Sequence, residues 1–366
     1  MQPALPAGQH GHGLHRDVAK SSLCRRNRHL PPLPSSGSIL PVAAITTDGP
    51  PGSDDLPRAI PKALSKGDRI FRGLSGGAAA LCLVLMAATA VFLTVKAVPA
   101  LSAAGPFKFL TGTTWEPDSK QFGVGGLLVN TVLIAGVALL LAVPLSLGLA
   151  LFINEYAPGR IRRVLTSSVD LLAAIPSLIF GMWGFFALQK PLIGVATWIA
   201  DHLNAIPLFR LTAPDAALSQ STFIAGIVVA FMVTPIITSV SRDVMAQCPR
   251  VQCEGALALG GSRWGMIRDV VLPFGRSGIV GSVLLGFGRA LGETIAVVLV
   301  IALVYKPNLH ILEKGSGSIS ALIATKFGEA QGIEISGLIA AGLALFIMTL
   351  VVNLFARAIV RRSQVA

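Results

Sequence analysis

Charged residues are scarce in this 366-residue chain. They make up 13% of it, whereas 53% of the residues are hydrophobic. Because soluble domains carry about 25% charged residues, we do not expect much of this chain to meet water. Acidic residues are rarer than basic ones, and the formal net charge is +12. The basic residues flank apolar runs, as is typical of membrane proteins, so we predict no nucleic-acid binding.

Cysteine is also scarce, and a common nucleotide-binding motif is absent. Of the four cysteines, Cys248 and Cys253 are close in sequence, but no histidine or further cysteine accompanies them. We therefore expect reduced thiols and no metal site. The chain also contains no G-x-x-x-x-G-K-[ST] motif, which excludes a P-loop nucleotide site of that form on this polypeptide.

Residues 1–65 differ in composition from the rest of the chain. They are rich in proline, glycine, serine and arginine, and they show no helical period. Such a segment cannot bury enough apolar surface to offset its conformational entropy. We predict a disordered cytoplasmic tail over these residues.

Six apolar stretches follow, each long enough to cross a hydrocarbon layer of about 30 Å as a helix. They cover residues 73–95, 127–152, 166–188, 222–241, 277–304 and 335–356. The first helix falls within residues 66–98, and the other five form a core over residues 120–362. Lysine and arginine are concentrated before the first span, in the second and fourth loops and after the sixth span, which places both termini in the cytoplasm. The sequence therefore predicts an all-α integral membrane protein with six transmembrane helices.

A basic and an acidic residue lie inside the fifth predicted span. Arg289 and Glu293 are four residues apart, which on a continuous helix puts them on one face. An ionised group in mid-membrane costs at least about 2.5 kcal/mol, so such groups face an aqueous path or a protein partner. One interpretation is that Arg289 binds a passing oxyanion while Glu293 holds its guanidinium. The other is a buried structural ion pair.

The loop between the fourth and fifth spans, residues 247–273, has a regular spacing of small residues. It reads Glu254, Gly255-Ala256, three residues, Gly260, nine residues, Val270, one residue and Leu272-Pro273. We expect Gly260 to end a short helix in a left-handed conformation, and Pro273 to stop a second helix before the fifth span.

This spacing resembles the E-A-A loop of bacterial ABC-importer permeases, with Gly255 where alanine is usual and Val270 where isoleucine is usual. The resemblance implies a coupling helix that docks on a cytoplasmic ATPase subunit. The alternative is an amphipathic loop with this spacing by chance. The residues that the resemblance assigns to ATPase coupling are Glu254, Gly255, Ala256, Gly260, Leu272 and Pro273.

A narrower resemblance rests on strings in several spans. GRALGETIAV (Gly288–Val297), LALFINEYAPG (Leu149–Gly159) and LLAAIPSLIFGMWG (Leu171–Gly184) are similar to the PstC-type permeases of bacterial phosphate-specific ABC importers. The likeness runs in order from about residue 66 to residue 361. It implies a type I ABC importer fold, MetI-like, in the bacterial inner membrane, and a phosphate pathway that includes Arg289 and Glu293.

The same resemblance implies partners. They are a second, PstA-type permease, a cytoplasmic PstB-type ATPase dimer that holds ATP and magnesium, and an extracytoplasmic PstS-type phosphate-binding protein. The chain itself is then neither an enzyme nor the holder of a cofactor. Three alternatives stay open: an importer for another oxyanion such as molybdate or sulfate, a secondary transporter or channel, and a phosphate sensor.

Overall fold

The structure is a computed structural model that describes residues 65–213 and 216–364. The predicted amino-terminal tail up to residue 64 lies outside this range. The described part is helical apart from loops and one short antiparallel hairpin, which pairs Trp115–Glu116 with Gln121–Phe122.

Within the described residues, six helices have the length and composition needed to cross a membrane, as the sequence predicts. They are Lys66–Ala104, Gly125–Tyr156, Ser177–His202, Thr222–Met245, Arg263–Gly292 and Ile333–Ala358. We label the main helical segments α1 (Lys66–Ala104), α2 (Pro106–Thr111), α3 (Gly125–Leu151), α4 (Gly159–Ala174), α5 (Ser177–Trp183), α6 (Gln189–His202), α7 (Thr222–Met245), α8 (Arg250–Ala258), α9 (Arg263–Met266), α10 (Leu272–Gly292), α11 (Ile295–Val300), α12 (Ile319–Lys326) and α13 (Ile333–Gln364).

Helix α7 lies at the centre of the bundle. In its most apolar 18-residue window, 72% of the residues are buried, whereas none is buried in the corresponding window of α1. Apolar side chains of α3, α7, α10 and α11 form the largest core cluster. Helix α1 packs against α13 near the carboxyl-terminal end of α1, and most of its remaining apolar surface is exposed.

The third span begins later than predicted. The sequence places it at residues 166–188, but α4 ends at Ala174 and a new helix begins at Ser177. The cause is Pro176, which has no N–H and keeps Ile175 in an extended conformation with ψ of 130°. The span then continues through a π-helical turn (Gly184–Leu188) and α6. Pro176 therefore lies before the third span.

The fifth span also differs from the prediction of one helix over 277–304. Its helix begins at Arg263, inside the loop, and ends at Gly292. Glu293 has an extended backbone with ψ of 127°, and the short α11 follows from Ile295. The span is therefore a broken helix, and the break is at Glu293, four residues after Arg289.

Candidate functional site

A cavity of about 1280 Å³ lies between α7, α10 and α13, and Arg289 lines it. The residues of α10 that face this space are Ser277, Val280, Gly281, Leu284, Leu285, Gly288 and Arg289. The Arg289 side chain is exposed, and within the described residues it forms no hydrogen bond or salt bridge. The sequence-based placement of Arg289 beside an open path therefore has a matching cavity.

Arg289 lies about half-way across the bundle. One turn before it, a Cβ at Gly286 would come within 2.6 Å of the Ile237 side chain and 2.8 Å of the Val233 side chain. Those two residues are in the middle of the 24-residue α7. With a rise of about 1.5 Å per residue, Arg289 is close to mid-membrane depth.

Glu293 forms hydrogen bonds to residues other than Arg289. Its side chain is buried, with 7% of the residue exposed, and Oε1 accepts a hydrogen bond from the Ala296 N–H at 3.4 Å. The Glu293 carbonyl oxygen accepts a second bond from Ser320 Oγ on α12 at 2.7 Å. Glu293 therefore caps the start of α11 and joins the break in the fifth span to α12.

The predicted alignment of Arg289 with Glu293 on one helical face is wrong. The four-residue spacing requires a continuous helix, but α10 ends at Gly292, and the extended residue that follows redirects the chain. No salt bridge joins the two side chains, both of which the structure describes. Of the α11 N–H groups left without helical partners by the break, that of Ala296 bonds to Glu293 Oε1.

The predicted coupling loop forms a short helix and a turn. Helix α8 ends at Ala258, and Gly260, two residues later, has a left-handed φ of 86°, which suits glycine. The Gly261 N–H bonds to the Ala256 carbonyl at 3.2 Å, and the Gly260 N–H bonds to the Leu257 carbonyl at 3.0 Å. These two bonds form a Schellman motif. The expected role of Gly260 as a left-handed cap is confirmed.

The outer surface of this helix is apolar and exposed. Val251 is 80% exposed and Leu259 is 91% exposed. Glu254 is exposed as well, and a Cβ at Gly255 would meet nothing within 4 Å. Exposed apolar side chains rimmed by a charge are typical of an interaction surface.

Pro273 does not stop the second helix, which corrects the prediction. The helix that begins at Arg263 runs on through a π-helical turn (Ile267–Val271) into α10, and Leu272 and Pro273 lie in the first turn of that segment. The wider turn accommodates a proline that lacks the N–H for a regular helical bond. The part of the coupling loop that follows Arg263 and the fifth span are consequently one continuous helix, whereas α8 is separated from it by the turn at Gly260.

Two arginines contact the end of the second span: Arg162 from α4, and Arg263 from the start of the fifth-span helix. That span closes in a π-helical turn (Phe152–Tyr156). Arg162 Nε donates to the Ile153 carbonyl at 2.9 Å, and the Arg263 guanidinium lies 5.9 Å from the centre of the Tyr156 ring. Cations at a helix carboxyl terminus are favourable. Here they link the end of the second span to α4 and to the start of the fifth-span helix.

Cys248 and Cys253 lie on either side of the start of α8. Their sulfur atoms are 3.7 Å apart, and both thiols are free. Burial, followed by the contact with Cys253, raises the pKa of Cys248 to about 11. The thiol of Cys248 is therefore protonated at neutral pH, and the described residues contain no cluster of three or more histidine, cysteine, aspartate or glutamate side chains that could hold a metal ion.

Sequence reasoning missed Asn353 as a site residue and used Arg357 only for topology. Both line the cavity that contains Arg289. The available signal was a single amide inside the apolar sixth span, four residues before the first arginine at its end.

These features define a class of protein: a polytopic membrane protein with a cavity lined by Arg289 and with an exposed helical loop between its fourth and fifth spans. Residues 142–365 match the model of the family described as "Binding-protein-dependent transport system inner membrane component". The chain belongs to this family, and comparison with curated relatives identifies it as a PstC-type permease.

Three comparisons support this assignment. The chain is 41% identical over 298 residues to the "Phosphate transport system permease protein PstC 2" of Mycobacterium tuberculosis, covering 80% of this chain and 92% of the relative. It is 37% identical over 300 residues to PstC of Haemophilus influenzae, covering 81% and 94%. A crystal structure of a bacterial ABC transporter involved in alginate import shares the fold, with a TM-score of 0.50, 21% identity and coverage of 80% and 99%.

Proposed function

We propose that this chain is the PstC-type permease subunit of an ATP-driven importer that carries inorganic phosphate across the bacterial inner membrane. The observation that carries the proposal is Arg289, a guanidinium without a protein partner in the described chain, at mid-membrane depth and beside a large cavity. A planar guanidinium offers paired donors that match the oxygen atoms of phosphate. The names of the relatives, which are phosphate transport permeases, agree with it.

The direction of transport requires an orientation. We propose that both termini and the 247–273 loop are cytoplasmic, because the short loops on that side carry Arg160, Arg163 and Arg268. The segments between the spans on the other side, including the hairpin and α12, then face the extracytoplasmic phosphate-binding protein.

Energy input comes from other chains in this proposal. A PstB-type ATPase dimer holds ATP and magnesium and receives α8 in a groove, while a PstA-type permease completes the cavity. Glu254 and the apolar side chains Val251 and Leu259 supply the docking surface. Because α9 and α10 belong to one continuous helix, Arg263–Gly292, displacement of α9 moves Arg289 with it.

The substrate can be tested with the purified complex in proteoliposomes. We expect ATP-dependent uptake of radiolabelled phosphate that a tenfold excess of sulfate or molybdate does not reduce. Preferential uptake of either competitor contradicts phosphate as cargo. Phosphate uptake that persists in the absence of ATP contradicts the importer class and supports a secondary transporter or channel.

The coupling helix provides a matched pair of glycine substitutions. Gly260→Ala places a side chain at a φ of 86°, which costs roughly 1–2 kcal/mol. Gly255→Ala fills open space and favours the helix by about 1 kcal/mol. We expect Gly260→Ala to lower phosphate-stimulated ATP hydrolysis and uptake about tenfold, and Gly255→Ala to leave both unchanged. Equal effects of the two substitutions would show that the left-handed cap is not required.

A further inference from the structure

The cavity beside Arg289 has a second polar wall, which belongs to the sixth span. On α13 that wall consists of Asn353 and Arg357, and on α10 the polar lining is Ser277 and Arg289. The other lining residues are apolar or glycine, and none of those in the described chain is acidic. The formal charge of the lining is therefore +2, which favours an anion over a cation.

Asn353 lies at the same depth as Arg289. Its amide nitrogen is 4.0 Å from the position of a Cβ on Gly288, the residue next to Arg289. Asn353 lies inside the sixth span, five residues before its end at Ala358. Arg357 follows four residues later on the same face of α13, about 6 Å further along the helix.

The chain direction shows towards which end of the bundle Arg357 is displaced from Asn353. Helix α10 starts at the coupling loop, and Ser277 is near that end, whereas α13 runs towards the same end from Ile333. The polar groups of the cavity therefore succeed one another from Arg289 and Asn353 at mid-depth, through Arg357, to the end of the bundle where the coupling loop lies.

Neither Asn353 nor Arg357 has a partner in the part of the chain that the structure describes. No hydrogen bond or salt bridge involves either side chain. An amide without a partner inside a span, as at Asn353, is costly unless water or a ligand reaches it, whereas Arg357 is exposed at the end of the sixth span. A cavity on this face supplies that access, and the positive lining selects the charge of the ligand.

We propose that Asn353 and Arg357 form a second phosphate-binding station, which receives the anion from Arg289 and passes it to the cytoplasmic end of the cavity. This inference rests on the proposed function. Two binding sites of moderate affinity in series suit transport, because the anion must bind strongly enough to enter and weakly enough to be released. Asn353 donates through its amide, and Arg357 donates through its guanidinium fork.

The test uses the assembled complex in proteoliposomes and compares two arginines of the same side. We expect Arg357→Gln to reduce phosphate uptake about tenfold, which corresponds to the loss of about 1.4 kcal/mol of interaction. Arg357→Lys should retain part of the activity. Arg163→Gln is the control, because Arg163 is an exposed arginine of α4 that does not line the cavity. Unchanged uptake by Arg357→Gln contradicts the station.

A charge-restoration measurement separates anion binding from a structural role. In a background in which Cys24, Cys82, Cys248 and Cys253 are serine, Arg357→Cys is treated with thiol reagents of opposite charge. We expect a cationic ethylammonium reagent to restore uptake and an anionic ethylsulfonate reagent of similar size to reduce it further. Equal responses to the two reagents would overturn the proposal and indicate packing at this position.

The two proposals fail in different ways. If the unsubstituted complex transports no phosphate, the proposed function is wrong. If that complex transports phosphate while Arg357→Gln and Arg163→Gln transport it equally well, the station formed by Asn353 and Arg357 is wrong and the proposed function stands.

Discussion

Arg289→Gln should reduce phosphate uptake by about a hundredfold, because two hydrogen bonds to a charged group, each contributing about 1.5–3 kcal/mol, are lost or weakened. The Arg289 side chain is exposed and has no partner in the described residues, so its replacement removes no internal contact. The amount of complex in the membrane should therefore stay the same. Uptake into proteoliposomes and quantitative immunoblotting measure the two quantities.

Arg289→Lys is the informative companion. It keeps the positive charge but replaces the planar fork with a single ammonium group. We expect uptake between that of Arg289→Gln and that of the unsubstituted protein. If both variants transport normally, Arg289 has no part in the pathway. If both variants are absent from the membrane, the arginine has a structural role in assembly.

The main features of the membrane fold follow from the sequence because each has a local cause. A run of apolar residues long enough for the bilayer must be helical there, so six runs predict six spans. Gly260 is predictable for a similar reason, since a glycine at the end of a short helix is favoured in the left-handed region. These predictions need no knowledge of neighbouring helices.

The errors have tertiary causes. The apolar run of the fifth span continues past Gly292, and no local signal marks the end of the helix there. The break is stabilised by Ser320 on α12, which comes later in the chain. In the same way, the partner-free state of Asn353 depends on which helix it faces. A periodic pattern describes one helix and contains no information on such contacts.

A break in a helix at membrane depth leaves backbone N–H groups without helical acceptors, and other groups must supply them. Between Arg289 and α11 the backbone leaves its helix, so the first N–H groups of α11 need acceptors. Glu293 supplies one acceptor through Oε1 and is bonded to Ser320 through its carbonyl oxygen. Glu293 is therefore a positioning residue in our proposal, because it holds the break that orients the end of α10 beside the cavity.

Glu293→Ala should reduce the amount of assembled complex at least about tenfold. The loss of a helix cap costs about 0.5–2 kcal/mol, and an unsatisfied backbone group in a membrane costs several kcal/mol. The control is Glu293→Gln, which keeps a carbonyl oxygen as the acceptor and removes the negative charge. We expect Glu293→Gln to accumulate and to transport phosphate at close to the normal rate. The measurements are detergent-resistant complex yield and uptake per complex.

The opposite pattern would assign Glu293 to the anion path. If Glu293→Gln assembles fully but loses transport, its negative charge acts on the passing anion or on Arg289 in a conformation other than this one. The structure favours the cap, because the Glu293 residue is 7% exposed and its carboxylate bonds to the Ala296 N–H and makes no salt bridge in the described chain. If Glu293→Gln retains transport and Glu293→Ala loses assembly, then Glu293 contributes to phosphate passage by holding the backbone in place and not by its negative charge.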